Sequence, residues 1–499
     1  MKTLALTLVV VSLAFCLGCG SGNNNTGGGC PTSVGNFSNA SLSGQYAYQL
    51  KGFDLLNGSE FREIGSFTAD GAGHITGGSD DFADYAGVGF SPTAILNTST
   101  YSISSDGTAT ASLFFSDGST ITLGMTLASA SKVYLVGFDS SGFTTAAGVA
   151  EKQNAAAFGS APSGTFAFRM HMDTNGVFNS GGSTSSVGVF TITNGLASGS
   201  EDVSEGGVTS QRTITAGSFN APDLNGRGTG TLTDSALNTS SFVYYVVDAN
   251  NIRFLSLDPE ILGLGSAEMQ TGGPFNAGSL SGGYAFGVTG DTPTSVGNLR
   301  AVGRLTSDGG GNLTAGQLDA VVDSTANSNI SFTGTYPSVN GTTGRAPVSL
   351  TGGVLSNAVL YLVNPSRAFV LVTDAGTVAE GTVDLQGSSS FTNASVDGQF
   401  AFLMDGFNST DFIDRVATLD WDGSGTLNLN ELVNVSGFVN VPGCLAGTYS
   451  VDANGLGRTK GTINSLSNNL VFYLVNGSNA YVLQNDSGTQ IDGMTTKQQ

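Results

Sequence analysis

Histidine occurs twice, tryptophan once and cysteine four times in 499 residues, and only 11% of the chain is charged. Each scarcity excludes something. The two histidines, His74 and His171, lie in different parts of the chain and share no motif, so neither a histidine-based triad nor a zinc site has a visible framework. Basic residues number 17 against 38 acidic ones, for a formal net charge of -21, and no basic run occurs. Nucleic acid and anionic lipid both need clustered Lys and Arg, so both are disfavoured as partners. No stretch holds a 3.6-residue apolar period, which argues against long amphipathic helices. There is no Gly-x-Ser-x-Gly elbow and no Walker or Rossmann phosphate loop. Beyond the first residues, no run is apolar enough to span a bilayer.

What is abundant is glycine (73), phenylalanine (30) and tyrosine (13), with apolar residues in short alternating runs. That is the composition of many short strands and tight turns. The phrase Phe-x-x-x-x-x-x-Gly-x-(Tyr/Phe)-Ala-(Tyr/Phe) begins at Phe37, Phe275 and Phe391, and at Phe158 with one residue fewer before the Gly. Each copy closes on a strand from Gly to Gln: Gly148 to Gln153, Gly265 to Gln270, Gly381 to Gln386 and Gly493 to Gln498. A fixed period marks repeated structural units. Four β repeats follow, at residues 37–153, 154–270, 271–386 and 387–499.

Within a repeat, Tyr46, Tyr48 and Leu50 are spaced by two and share one sheet face. Their counterparts are Phe166, Phe168, Met170; Tyr284, Phe286, Val288; and Phe400, Phe402, Met404. Recurrence in every copy makes them core; the small Ala47, Ala167, Ala285 and Ala401 fall on the opposite face. Asp-Gly pairs such as Asp70-Gly71, Asp308-Gly309 and Asp422-Gly423 supply the positive φ of tight hairpins. About eight strands per repeat, joined by short turns, predict an all-β chain of four tandem antiparallel meanders that close as up-and-down barrels. The pattern resembles the calycin barrels of lipocalins and avidins. β-Sandwiches are the alternative, and a propeller with two blades per repeat is a more distant one.

The N-terminus carries Lys2, an apolar stretch from Leu4 to Leu17, and Cys16-Leu17-Gly18-Cys19-Gly20-Ser21. This resembles the lipobox of bacterial lipoproteins. The resemblance implies a signal peptide at residues 1–18, lipidation of Cys19 and a membrane partner held through an N-terminal lipid. Gly20 in place of Asp implies the outer membrane, on either its periplasmic or its cell-surface face; a secreted protein is the alternative. Residues 19–36, rich in Gly, Asn and Ser, read as a flexible tether.

Three features depart from the repeat. Asp420-Trp421-Asp422-Gly423-Ser424-Gly425-Thr426-Leu427-Asn428-Leu429-Asn430-Glu431 resembles an EF-hand calcium loop, which would use Asp420, Asp422, Ser424 and Glu431. The same place in the first and third copies is a hairpin turn without such ligands, so a plain turn is expected. Cys30 and Cys444 remain once Cys16 leaves with the signal and Cys19 takes lipid. A disulfide between them would close a loop of about 415 residues, worth about 5–6 kcal/mol by chain entropy. The carboxylates Asp80, Asp81, Glu201, Asp202, Asp319 and Glu431 recur after the first hairpin and read as a solvent-facing strand end.

These observations predict a non-enzymatic, lipid-anchored envelope protein that displays four β domains for ligand binding or surface contact, with no catalytic residue and no cofactor. A structural or adhesive spacer is the alternative, and a polymer-acting hydrolase with a site between repeats is the second. A binding barrel needs an internal cavity, a spacer needs filled interiors, and a hydrolase needs carboxylates from different repeats converging on a cleft.

Overall fold

Alternating apolar residues and Asp-Gly turns become 34 strands among the described residues. The computed structural model describes residues 35–499 except 85–88, 141–142, 175–181, 259–260, 294 and 465–467. The strands group by repeat, each an antiparallel meander, as the sequence pattern predicts. The second repeat closes as an eight-stranded barrel from β10 (Gly164–Thr174) to β17 (Ile261–Met269), and the third from β18 (Ser281–Thr292) to β25 (Val378–Leu385). The fourth repeat, from β26 (Asp397–Asn408) to β34 (Thr489–Lys497), closes through pairing of β27 (Phe412–Asp422) with β28 (Thr426–Val435). The first runs as one sheet from β1 (Ser43–Asp54) to β9 (Thr144–Lys152), and the bridges His74–Thr100 and Ile95–Phe115 draw its edges together. Sandwich and propeller arrangements are absent from the described residues.

Each barrel has its own apolar interior, in which the recurrent trios lie as expected. The leading Phe37, Phe158, Phe275 and Phe391 join those interiors, beside one-turn 3-10 helices at 39–41, 155–157, 277–279 and 393–395 that plug one end of each barrel. The recurrent Gly of the closing strand is a close-approach position. A Cβ on Gly493 would stand 1.9 Å from the Leu403 carbonyl oxygen, and one on Gly381 would stand 1.9 Å from that of Gly287.

The opposite face of the first strands is buried too. Ala47, Ile64 and Ala83 pack on Val243, Tyr245 and Leu255 of the second repeat. Ala167, Val187 and Val189 pack on Tyr361 and Phe369 of the third. Ala285, Val302 and Val321 pack on Tyr473 and Leu483 of the fourth. Ala401, Leu403 and Val416 then pack on Tyr134 and Val136 of the first. The four barrels therefore form a closed ring, each meeting the next in the same way. The closing Gln of every copy is the clasp. Gln153 Nε2 donates to the Asn225 and Val246 carbonyls, Gln270 to Thr343 and Leu362, Gln386 to Leu456 and Leu474, and Gln498 back to Asp106 and Leu127 of the first repeat.

Three of the four interfaces bury the same ionic group. Asp81 receives Arg227 through Nε and Nη2, both at 2.7 Å, and the Tyr245 hydroxyl at 2.8 Å. Asp202 does the same with Arg345 and Tyr361, and Asp319 with Arg458 and Tyr473. Cross-strand register makes Thr108 and Thr126 the counterparts of the Arg and Tyr, and Leu432 the counterpart of the Asp, at the interface that closes the ring. There the ionic group gives way to an uncharged one, a leucine against two threonines.

Candidate functional site

The interior of the second barrel is not filled. A cavity of about 490 Å³ lies inside it, against about 50 Å³ in the third barrel. Its floor is apolar, formed by Phe168, Phe190, Phe242 and Phe254 with Met170 and Leu232. Its mouth is polar and lies at the unplugged end, where Thr174, Glu205, Asn238 and Asp258 close the hairpins. One wall carries Glu201, Arg212 and Asp234. Arg212 reaches Asp234 at 2.8 Å and Glu205 at 2.7 Å, so its charge is held at the rim.

The four copies explain why this barrel is open. Two inward positions on the second and third strands hold Glu63 and Asp80 in the first repeat, Ser186 and Glu201 in the second, Ala301 and Leu318 in the third, and Arg415 and Glu431 in the fourth. Glu63 and Asp80 share the Tyr48 hydroxyl, at 3.3 and 2.7 Å. Burial pushes Glu63 up to about 7, against its hydrogen bonds to Asp80 and Tyr48, and burial with the Glu63 charge pushes Asp80 well above the carboxylate range. Arg415 and Glu431 approach to 3.6 Å as an ion pair, and Ala301 and Leu318 are an apolar contact. Only the second repeat sets a carboxylate against a hydroxyl. Burial and the Asp234 charge raise Glu201 to about 7, against the pull of Arg212 and the Ser186 hydrogen bond.

The recurrent carboxylates are thus not a solvent-facing strand end. Asp80 and Glu431 are buried inside barrels, Glu201 lines the cavity wall, and Asp81, Asp202 and Asp319 are buried between barrels. Alternation puts neighbouring acids on opposite sheet faces, and both faces are covered. The signal was available in the register: Glu201 is two residues from Val203 and on the same face.

The residues of the EF-hand-like segment do not converge. Asp422 caps the β27–β28 hairpin, accepting from the backbone N–H groups of Ser424, Gly425 and Thr426 at 2.8 Å each and from Ser424 Oγ at 2.6 Å. These bonds hold its carboxyl well below the usual range. Asp70 and Asp308 cap the equivalent turns of the first and third repeats. Trp421, Leu427 and Leu429 point into the barrel, so Glu431 shares their face, away from Asp420 and Asp422. Cys444 is disulfide-bonded. Its expected partner Cys30, like Cys19, lies outside the described residues.

His171, without a motif in the sequence, lies at a four-repeat junction. Counting five residues on from the first aromatic of each trio gives Lys51, His171, Thr289 and Asp405, all on the ring-facing side. Contacts there run around the ring: Arg62 to Asp173 at 2.7 Å, His171 to Asp291 at 3.6 Å, Arg300 to Asp492 at 3.0 Å, and Asp405 to Lys51 at 2.6 Å. Arg169 adds Glu380 at 2.9 Å. Ligand atoms of His171, Asp173 and Asp291 lie within 4.8 Å of one another, a spacing that suits a metal. Arg62 already neutralises Asp173, however, and His171 serves as a cation itself. Burial opposes its charge, but Asp173, Asp291 and Glu380 outweigh that and raise it to about 9. Carboxylates from different repeats do converge here, each held by a Lys, Arg or His, which is an ionic joint rather than a general acid–base pair.

No protein-family model and no curated protein matches the chain. Solved structures resemble the chain at low identity and low TM-score. One is "The Structure of Intact Ap-TbpB (N and C lobes)", with 10% identity over 74% of this chain and 84% of that one, at a TM-score of 0.19. A second is a transferrin binding protein B mutant from Haemophilus parasuis Hp5, with 12% identity, 73% and 82% coverage, and a TM-score of 0.18. A third is transferrin binding protein B from serogroup B Neisseria meningitidis, with 9% identity, 74% and 84% coverage, and a TM-score of 0.19. TM-scores this low describe no common arrangement of the whole chain.

Proposed function

We propose that the protein is a non-enzymatic, lipid-anchored protein of the cell envelope, and that its second barrel is a receptor for a small molecule with an apolar body. The observation that carries this is the 490 Å³ cavity, a volume within the usual range for small-molecule sites, with an apolar floor and polar groups along one wall and at the mouth. A pure spacer has no use for a void that costs stability.

The anchor rests on the lipobox resemblance. The chain enters the first barrel at its plugged end, where the Phe37 N–H donates to the Ser105 carbonyl. The ring repeats one barrel contact four times, so the plugged ends share a side, and the cavity mouth opens on the side opposite to where the chain enters the first barrel. Palmitate labelling of the wild type and of Cys19→Ala checks the anchor; equal labelling in both would remove it.

Val203 faces the cavity two residues from Glu205 at its mouth, and Val203→Trp is expected to obstruct the entrance. A polarity-sensitive apolar dye such as phenylnaphthylamine should brighten with the wild type and stay dark with the variant at an unchanged thermal midpoint. If both brighten equally, the second barrel is not the receptor.

A further inference from the structure

Among the described residues no Lys or Arg forms an ion pair with Glu201, although the acid lines the wall of the cavity. Every other copy completes itself at the two equivalent positions, by a carboxyl pair, an apolar contact or an ion pair. The second repeat leaves its acid opposite a small hydroxyl and a void. We propose, on the receptor reading above, that the ligand of the second barrel is a cationic amphiphile whose protonated amine takes Glu201 as its counter-ion while its hydrocarbon body lies on the phenylalanine floor.

The charges around the cavity agree. Among the described residues four carboxylates line it, Glu201, Glu205, Asp234 and Asp258, against the single cation Arg212. That cation is spent on Asp234 and Glu205. Asp234 is further satisfied by the N–H groups of Ala236 and Asn238, at 2.8 and 2.9 Å, and Asp258 accepts from the Ser241 N–H at 2.9 Å. Glu201 therefore remains as the inward acid with the least internal compensation. A buried carboxylate without a cation is costly, and an incoming ammonium removes that cost. An anionic head group would meet net negative charge.

The groups that face Glu201 are Ser186 on one neighbouring strand, Arg212 directly opposite it on the other, and Asp234 beyond Arg212; Asp202, next in sequence, lies on the opposite sheet face. Ionisation of Glu201 near neutral pH means that amine affinity should climb from pH 6 to pH 8, where an alkylamine stays protonated and only the receptor titrates.

The test uses the full chain and three probes of equal chain length: dodecylamine, dodecanol and dodecanoate, measured by calorimetry. The amine should bind at least about tenfold more tightly than the alcohol, and dodecanoate most weakly. Glu201→Gln should bring the amine down to the alcohol while alcohol binding persists, and should flatten the pH dependence. If the alcohol or the acid equals the amine in the wild type, or if Glu201→Gln keeps the amine preference, the counter-ion assignment fails and the receptor survives. If none of the three binds, or if Val203→Trp leaves binding unchanged, the receptor reading itself fails. The comparison of the three head groups in the wild type stands even where a variant does not fold.

Discussion

Asp319→Ala is expected to destabilise the protein by about 3–5 kcal/mol, the cost of breaking a buried ion pair from one side. Asp319 is fully buried, and it receives Arg458 at 2.6 and 2.7 Å, Tyr473 at 2.7 Å and Asn485 at 3.1 Å. Its removal leaves the Arg458 guanidinium, 2% exposed, with Asp452 as its remaining ion-pair partner. The ring contains its own control. At the closing interface the same three places hold Leu432, Thr108 and Thr126, so an uncharged solution fits this geometry. The triple variant Asp319→Leu, Arg458→Thr, Tyr473→Thr should therefore recover the larger part of the loss. Trp421 is the only tryptophan and lies buried in the fourth barrel, so its fluorescence in a urea titration reports the barrel on one side of this interface. A shift of under about 1 kcal/mol for Asp319→Ala would show that the ionic group adds little.

The second large effect is on pH. His171 has a folded pKa of about 9 against 6.5 for the ordinary residue. A raised cationic pKa gives stability that is complete below the unfolded value and is lost as pH rises through the folded one. The ring should lose about 3 kcal/mol between pH 6.5 and pH 9 from this group. Glu63 and Glu201, both raised to about 7, act in the same direction at lower pH, because the folded state holds their protons more tightly. Stability should therefore fall steadily from about pH 5 to pH 9. His171→Gln should flatten the upper part, above pH 7, and leave the lower part in place. Denaturation midpoints at three pH values decide this; an equal slope in the variant would assign the loss elsewhere.

The barrels were legible in the sequence because their signals are local. Period-two trios, Asp-Gly turns and the returning Gly-to-Gln strand all act within one repeat, and each survives into the structure. Comparing the copies also identified Asp422 as a turn cap, since Asp70 and Asp308 do the same work. What could not be read was which sheet faces meet a neighbour. Ala47 and its counterparts look like unremarkable outward positions until the second repeat covers them. Asp81, Asp202 and Asp319 look solvated until Arg227, Arg345 and Arg458 arrive from the following repeat, more than 130 residues away. Glu201 reads as solvent-facing in the sequence for a related reason. Its meaning lies in a mismatch with Glu63–Asp80, Ala301–Leu318 and Arg415–Glu431, which appears only once register aligns the strands.

The clasp formed by Gln498 on the first repeat has a consequence for copy number. An open array of repeats can gain or lose a unit at little cost, because each unit meets only its neighbours. Here the last barrel lands on the first, and the turn from one barrel to the next is fixed by four near-identical contacts. A three-unit or five-unit chain would miss its own beginning and leave two complementary flanks exposed, ready to join other molecules. Closure makes four the counting rule of this chain, and it turns a loss of one unit into a change of assembly rather than a shorter protein.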